Sequence, residues 1–402
     1  MTQSAARNKI IEASDAGESI SLCQELIKIP SHEQYEAREG RVAEFIYNYL
    51  KSQDIEVIKR EVVDGRPNVI AILRGTGGGN SLMLNGHIDT VPPFEMDIEP
   101  FNPVILEDRI YGRGAADMKG AIAAMMEALL TLHRANIRLS GDLVFTAVID
   151  EERRSEGTED IIRTGSRTDM AIVGEPTELQ VAIAHKGLEW MEIVVKGKTA
   201  HSGAADKGIN AISKAAKLIT VIEGELVPEL NRRTNALLGP STLNFGKIEG
   251  GDQPSTVAGE CRIQIDRRWI PEETLDMILG DFQRVIHKLT QEDPQFQAEI
   301  RRLSSNMATM EHMPMQIDAN HPLVNAVSQA TSFVTKTKPD LVAFPAWTDA
   351  SLLSNFGKID CLIFGPGSIK QAHAKVEYVS ATEVAQAAKV YALAALEICG
   401  IM

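Results

Sequence analysis

Leu143-Val144-Phe145-Thr146-Ala147-Val148-Ile149-Asp150-Glu151-Glu152 decides the fold class of this 402-residue chain. An apolar run of strand length, broken only by Thr146, ends abruptly in three adjacent carboxylates. Apolar residues at successive rather than alternate positions suit a strand buried on both faces of a parallel sheet. In open α/β sheets, sites form beyond the carboxyl ends of such strands. Three neighbouring carboxylates also repel one another unless something positive sits among them. A solvated acidic loop neutralised by Arg153 and Arg154 is the plainer alternative.

Outward from this stretch the same alternation continues. Val69–Leu73, Ser81–Asn85, Met170–Val173 and Cys361–Phe364 read as strands. Ala16–Lys28 (ended by Pro30), Gly40–Lys51, Lys119–Ala135, Asn320–Thr335 and Thr382–Ile398 read as helices. This predicts an α/β catalytic domain with a mostly parallel central sheet flanked by helices. The glycine cluster Gly75–Asn80 lacks the Gly-Lys-Ser/Thr of a phosphate loop and reads as a turn between strands.

The pattern changes near Lys186. Trp190–Val195 alternates as a half-exposed strand, Ile209–Val221 as an amphipathic helix, and Thr242–Ile248 and Cys261–Arg267 as strands. Glu273–Leu289 is a further helix and Phe296–Leu303 a last strand, together a small α/β sandwich. The expected domains are 1–186 with 306–402, interrupted by an inserted domain at 187–305. The hinge is expected near Lys186–Gly187 and Ser304–Asn306.

Acidic residues outnumber basic ones, 55 to 41, for a net charge of −14. That balance argues against nucleic-acid and membrane partners, which need dense Lys/Arg patches. Cys23, Cys261, Cys361 and Cys399 lie far apart with no Cys-x-x-Cys spacing, as in a reduced intracellular chain. Met1–Glu12 is polar and no apolar run approaches membrane-spanning length, so a soluble, cytoplasmic protein is expected.

Several candidates for chemistry fall in the reconstructed α/β domain. In His87-Ile88-Asp89, side chains two apart on an extended segment point the same way, so Asp89 can hold the imidazole. Asp117 precedes the helix at Lys119, where a plain N-cap is the alternative. Glu152 and Glu151 follow the acidic strand end, Glu175 stands in Val173-Gly174-Glu175-Pro176-Thr177, and His373 follows the strand Cys361–Phe364. Each alone reads equally as a core histidine or an exposed loop residue. Together, two imidazoles and three carboxylates exceed the three ligands of one catalytic zinc and suit two cations sharing a carboxylate. Nitrogen and oxygen donors without thiolate fit zinc, with cobalt or manganese as substitutes.

In these motifs the chain resembles the dinuclear zinc amidohydrolase and peptidase family. That family includes acetylornithine deacetylase, succinyl-diaminopimelate desuccinylase, aminoacylase and the folate-cleaving glutamate carboxypeptidase. The segments that carry the likeness are Leu84–Pro92, Tyr111–Gly120, Asp150-Glu151-Glu152, Val173–Thr177 and Ala372-His373, with Lys196–Ser202 and Trp347–Ala350. The resemblance implies that Asp117 bridges two zinc ions, with His87 and Glu175 at one and Glu152 and His373 at the other. Glu151 would be the general base, Asp89 would orient His87, and the Asp117–Met118 bond would be cis. It further implies that the inserted domain is a lid and dimerisation domain of a homodimer. His201 would stabilise the oxyanion and Arg268 would hold a substrate carboxylate. Relatives tend to carry Asn and then Pro where this chain has Ser255 and Ala258, and Ser255 is the candidate substrate contact there.

The expected activity is removal of an N-acyl group (acetyl, succinyl or formyl) from a small amino acid or related amine by metal-activated water. Dipeptidase or exopeptidase action on the same scaffold is the alternative, and a catalytically silent binding protein a third.

Overall fold

The computed structural model describes residues 2–165 and 167–401. Residues 1, 166 and 402, which belong to the expected catalytic segments, lie outside the described residues. The chain divides into two compact units. The first holds Met1–Ala184, Met315–Phe344 and Thr348–Met402, and the second His185–Pro314 with Pro345–Trp347.

The first unit is built on a mixed sheet that contains nine strands among the described residues. Its central order is Arg66–Leu73, Leu143–Val148, Leu82–His87, Met170–Val173, Asp360–Ile363. The last four of these run parallel. Antiparallel strands extend both margins, Glu56–Val63 beyond Arg66–Leu73 on one side and Val181–His185 on the other. Every residue of Leu143–Val148 is buried, because strands flank it on both sides and helices cover the layer. The glycine cluster does not close a hairpin, since Leu143–Val148 lies between the strands it joins. Gly77 and Gly78 take φ values of +97° and +89° there, which a side chain resists.

Helix Gly120–Arg134 is buried from Gly120 to Leu132, as its Ala, Met and Leu content on every face dictates. It packs against Ala16–Ile27 and the last helix, Ala381–Cys399. The last helix starts where Ser380 Oγ accepts the Glu383 N–H at 3.1 Å. That is an ordinary N-cap, with Glu three positions further on.

The second unit runs strand-helix-strand-strand-helix-strand, and its sheet order is Thr242–Gly250, Glu260–Trp269, Gly187–Lys196, Gln297–Arg302, all antiparallel. Helices Ala211–Val221 and Leu275–Glu292 bring Leu218, Phe282 and Val285 against Met191, Ile193, Val195 and Ile265. The unit reaches past the expected 187–305 because Leu188 N–H bonds to His312 O and Asn306 brackets Trp190 with its side-chain amide. Trp190–Val195 is not half-exposed as expected. Gly187–Lys196 is an interior strand, and its outer-face Glu192 is buried beneath Arg262 and Arg301.

Candidate metal centre

The carboxyl ends of three parallel strands deliver four of the predicted residues directly. His87 closes Leu82–His87, Glu151 and Glu152 follow Leu143–Val148, and Glu175 follows Met170–Val173. Asp117 comes instead from the turn ahead of Gly120–Arg134, and His373 from a loop ten residues past Asp360–Ile363. The turn at Asp117 depends on Gly114, whose φ is +83° and whose Cβ, if present, would stand 2.7 Å from Thr90 Cγ2. The Asp117–Met118 peptide bond is cis.

Asp117 lies between the two histidines. Its Oδ1 is 2.9 Å from His87 Nε2 and its Oδ2 is 3.4 Å from His373 Nε2. His373 Nε2 also lies 3.1 Å from Glu152 Oε2, and His87 Nε2 lies 3.8 Å from Glu175 Oε1. One donor atom each from His87, Asp117 and Glu152 fall within 4.8 Å of one another. The structure therefore sorts the five predicted ligands into two groups, His87 with Glu175 and His373 with Glu152, which meet at Asp117. Nitrogen and oxygen donors at such spacing fit a pair of divalent cations sharing one carboxylate.

Electrostatics point the same way. Burial pushes the Glu151, Glu152 and Glu175 carboxyls up, and the carboxylates beside them push in the same direction. Burial alone would depress His87, yet Asp117, Asp89 and Glu175 raise it well above the usual imidazole range. Hydrogen bonds to Asp117 and Glu152 bring His373 up to about 10. Burial and mutual repulsion hold the glutamates up, while the acids around them hold the two imidazoles up. A cation relieves both.

Asp89 meets His87 more closely through its main chain than through its carboxylate. His87 Nδ1 donates to the Asp89 backbone carbonyl at 3.0 Å, while the carboxylate is farther, at 3.4 Å. The carboxylate oxygens are engaged elsewhere, accepting the Glu151 N–H at 3.1 Å and the Glu152 N–H at 3.0 Å. The second ring nitrogen is thus held by a carbonyl, which fixes the tautomer as a carboxylate would. Glu151 has no hydrogen bond or ion pair for its side chain among the described residues. A cavity of about 130 Å³ lined by Asp89, Phe94, Glu152 and Arg153 opens beside Glu152.

Three supporting groups escaped sequence reasoning. Arg66 is bidentate to Glu39 at 2.7 Å and also binds Asp150, whose left-handed backbone (φ +69°) lets its carbonyl collect the Arg153, Arg154 and Ser155 N–H groups. Asp349 is buried, accepts from Thr158 Oγ1 at 2.6 Å, and adds to the negative field at Glu151 and Glu175. Glu377 is wholly buried beneath the Asp117 turn. The remaining site calls belong to the second unit. His201 is exposed and its Nδ1 accepts the Gly203 N–H, and the nearby Ser255 carbonyl accepts the Ser202 N–H. Arg268 is already paired with Asp266, at 2.8 and 3.0 Å.

The chain matches the description Peptidase family M20/M25/M40 over residues 83–397. It is 29% identical over 377 residues to an N-formyl-4-amino-5-aminomethyl-2-methylpyrimidine deformylase of Bacillus subtilis (strain 168), covering 87% of each chain. It is 32% identical over 378 residues to an acetylornithine deacetylase of Proteus mirabilis (strain HI4320), covering 90% of this chain and 91% of that one. Its fold is similar to that of an aminopeptidase from Bacillus cereus ATCC 10987, with a TM-score of 0.78 at 20% identity over 96% of this chain and 100% of the other. By the span of the family match and the identity to these relatives, the chain belongs to peptidase family M20/M25/M40.

Proposed function

We propose that the chain is a metal-dependent amidohydrolase that removes a small N-acyl group from an amino acid or related amine. The observation that carries this reading is Asp117, whose two oxygens face the histidines of two separate ligand groups. The nearest reading from relatives is deacylation, since a deformylase and a deacetylase are among the sequences it resembles. Dipeptidase action remains the second reading, on the likeness of fold to an aminopeptidase.

His87 and Glu175 would hold one cation, Glu152 and His373 the other, and Asp117 both. Zinc suits these donors, and cobalt or manganese would substitute. Divalent ions held by these residues would supply Lewis-acid polarisation of the scissile carbonyl and acidify the attacking water. Glu151, whose side chain has no hydrogen-bond or ion-pair partner among the described residues, takes a proton from the attacking water and passes it to the leaving nitrogen. Its pKa, raised by burial and by Glu175 and Asp349, suits it to hold that proton between the two transfers. Asp89 keeps the His87 ring and the Glu151–Glu152 backbone in register. His201 is assigned the oxyanion and Ser255 a substrate contact. Arg268 would meet a substrate carboxylate only by sharing itself with Asp266.

The second unit is assigned the lid and dimer roles. Its marginal strand Thr242–Gly250 is exposed along most of its length, with Ile248 outward, and offers an unpaired edge to a second copy. Four buried, unpaired cysteines agree with a reducing cytoplasm, and no helix among the described residues is long and apolar enough to cross a membrane.

The test is Glu151→Gln on a panel of N-formyl, N-acetyl and N-succinyl amines and dipeptides. The variant should keep the metal content of the wild type by mass spectrometry and lose about 10²–10⁴-fold in kcat. Near-normal turnover would remove Glu151 from the reaction, and preference for dipeptides would select the second reading.

A further inference from the structure

The short sheet beside the metal centre brings one more carboxylate to Asp117. Glu377 stands four residues after His373 and immediately before the strand Tyr378–Ser380, which pairs with Arg109–Tyr111. Its side chain is fully buried, and both its oxygens are occupied. Oε1 accepts the backbone N–H of Ala116 at 3.0 Å and of Asp117 at 3.2 Å. Oε2 accepts the Gly114 N–H at 3.1 Å and Arg113 Nη1 at 2.6 Å. The Glu377 carbonyl accepts the Gly112 N–H at 3.1 Å. Elsewhere in the turn the Arg113 N–H reaches the Pro100 carbonyl, the Ala115 N–H that of Gly112 and the Lys119 N–H that of Gly114.

A turn that points several N–H groups at one spot is an anion nest, a shape proteins commonly use to bind ligands. Here the chain fills the nest with its own carboxylate. The carboxylate comes from the segment that carries His373, so one side chain joins the backbone of the bridging aspartate to the backbone of a histidine that faces it at 3.4 Å. An apolar residue could fill the same volume, but it could not satisfy three buried amides at once.

We propose that Glu377 is the positioning residue of the metal pair, setting the spacing of Asp117 and His373 before any cation arrives. The inference rests on the metal-centre reading above. The direct contacts of Glu377 lie at the Asp117 turn, and any effect on His87 would pass through Asp117. Replacement by Gln leaves one acceptor oxygen and turns an N–H₂ group towards donors, so at least one amide must move away. Replacement by Asp keeps the charge but withdraws it by one methylene.

The experiment titrates cobalt(II) into the metal-free full chain, wild type against Glu377→Gln and Glu377→Asp. Calorimetry, the cobalt absorption spectrum and the metal-free Tm are read together. The wild type should take two ions. Both variants should bind at least one of the two ions at least tenfold more weakly, with an altered visible absorption band. Two ions bound as in the wild type, with an unchanged spectrum, would overturn the inference whatever the Tm. Such a result would make Glu377 a stabilising residue only. A wild type that takes up no cobalt or zinc would instead sink the metal-centre reading, and the inference with it. Should neither variant fold, hydrogen exchange on the metal-free wild type decides. The amides of Gly114, Ala116 and Asp117 should already be protected, and protection that arises only on adding metal would overturn the proposal.

Discussion

Arg66→Ala should be among the most damaging single changes in the first unit. The guanidinium side chain is 9% exposed and serves Glu39 and Asp150, whose side chains are 3% and 5% exposed. It ties the segment before helix Gly40–Ser52 to the loop that carries Glu151 and Glu152. Breaking a buried pair by removing one partner costs about 3–5 kcal/mol, because the other charge is left without compensation. With two carboxylates abandoned, the upper end applies, which corresponds to a fall in Tm of roughly 7–10 °C for a unit of this size. Scanning calorimetry on the metal-free protein measures it without the stabilisation that bound metal adds. Adding Glu39→Gln to the same chain removes one stranded charge and should recover about 1–3 kcal/mol. A loss below about 1 kcal/mol, or no recovery in the double variant, would refute the claim that Arg66 neutralises this cluster.

Other perturbations follow from the same structure. Burial lifts Glu127 to about 7 from 4.5, and its Oε2 is buried with no donor among the described residues. The folded chain therefore keeps a proton that the unfolded chain has released, and this group's contribution to stability falls as pH rises across that window. The stability of Glu127→Gln relative to wild type should thus improve by about 1–3 kcal/mol from pH 4.5 to 8 in denaturant titrations, and a constant difference would contradict this. At Gly187 an added Cβ would stand 2.4 Å from Trp269 Nε1 and 2.8 Å from His312 O. Trp269 is fully packed, so Gly187→Ala should destabilise the second unit by about 1–3 kcal/mol, and an unchanged denaturation midpoint would show that the indole can yield. His373→Ala should reduce the metal content from two ions per chain to one by mass spectrometry. Retention of two would remove His373 from the ligand set.

The parts of this molecule that were readable from sequence are those with a local signature. Leu143–Val148 and Met170–Val173 are short apolar runs buried on both faces, and acidic groups at their ends mark the sheet edge where ligands gather. Strand Glu56–Val63 was overlooked because Lys59, Arg60 and Glu61 mask its alternation, as a solvent-facing margin allows. Arg66, Asp349 and Glu377 were missed as site residues for another reason. Each acts through partners distant in the chain, Glu377 through Gly114 to Asp117, and only the folded backbone makes those partners adjacent. The burial of a charged residue is the signal that would have found them, and burial is not written in the local sequence. Asp89 shows the same limit at smaller scale. Its spacing from His87 was plain, but which oxygen would meet the ring depended on the acidic loop claiming the carboxylate first.

That double engagement at position 89 bears on how such a protein can diversify. One residue steadies an imidazole with its main chain and the acidic loop at Glu151–Glu152 with its side chain, so the two cannot be tuned separately. Even the mildest exchange, to asparagine, would set an N–H₂ group against one of two amides that need an acceptor. Descendants seeking a different acyl group are therefore steered away from this junction. Novelty has to be tried out on side chains that touch the substrate without also scaffolding the chemistry.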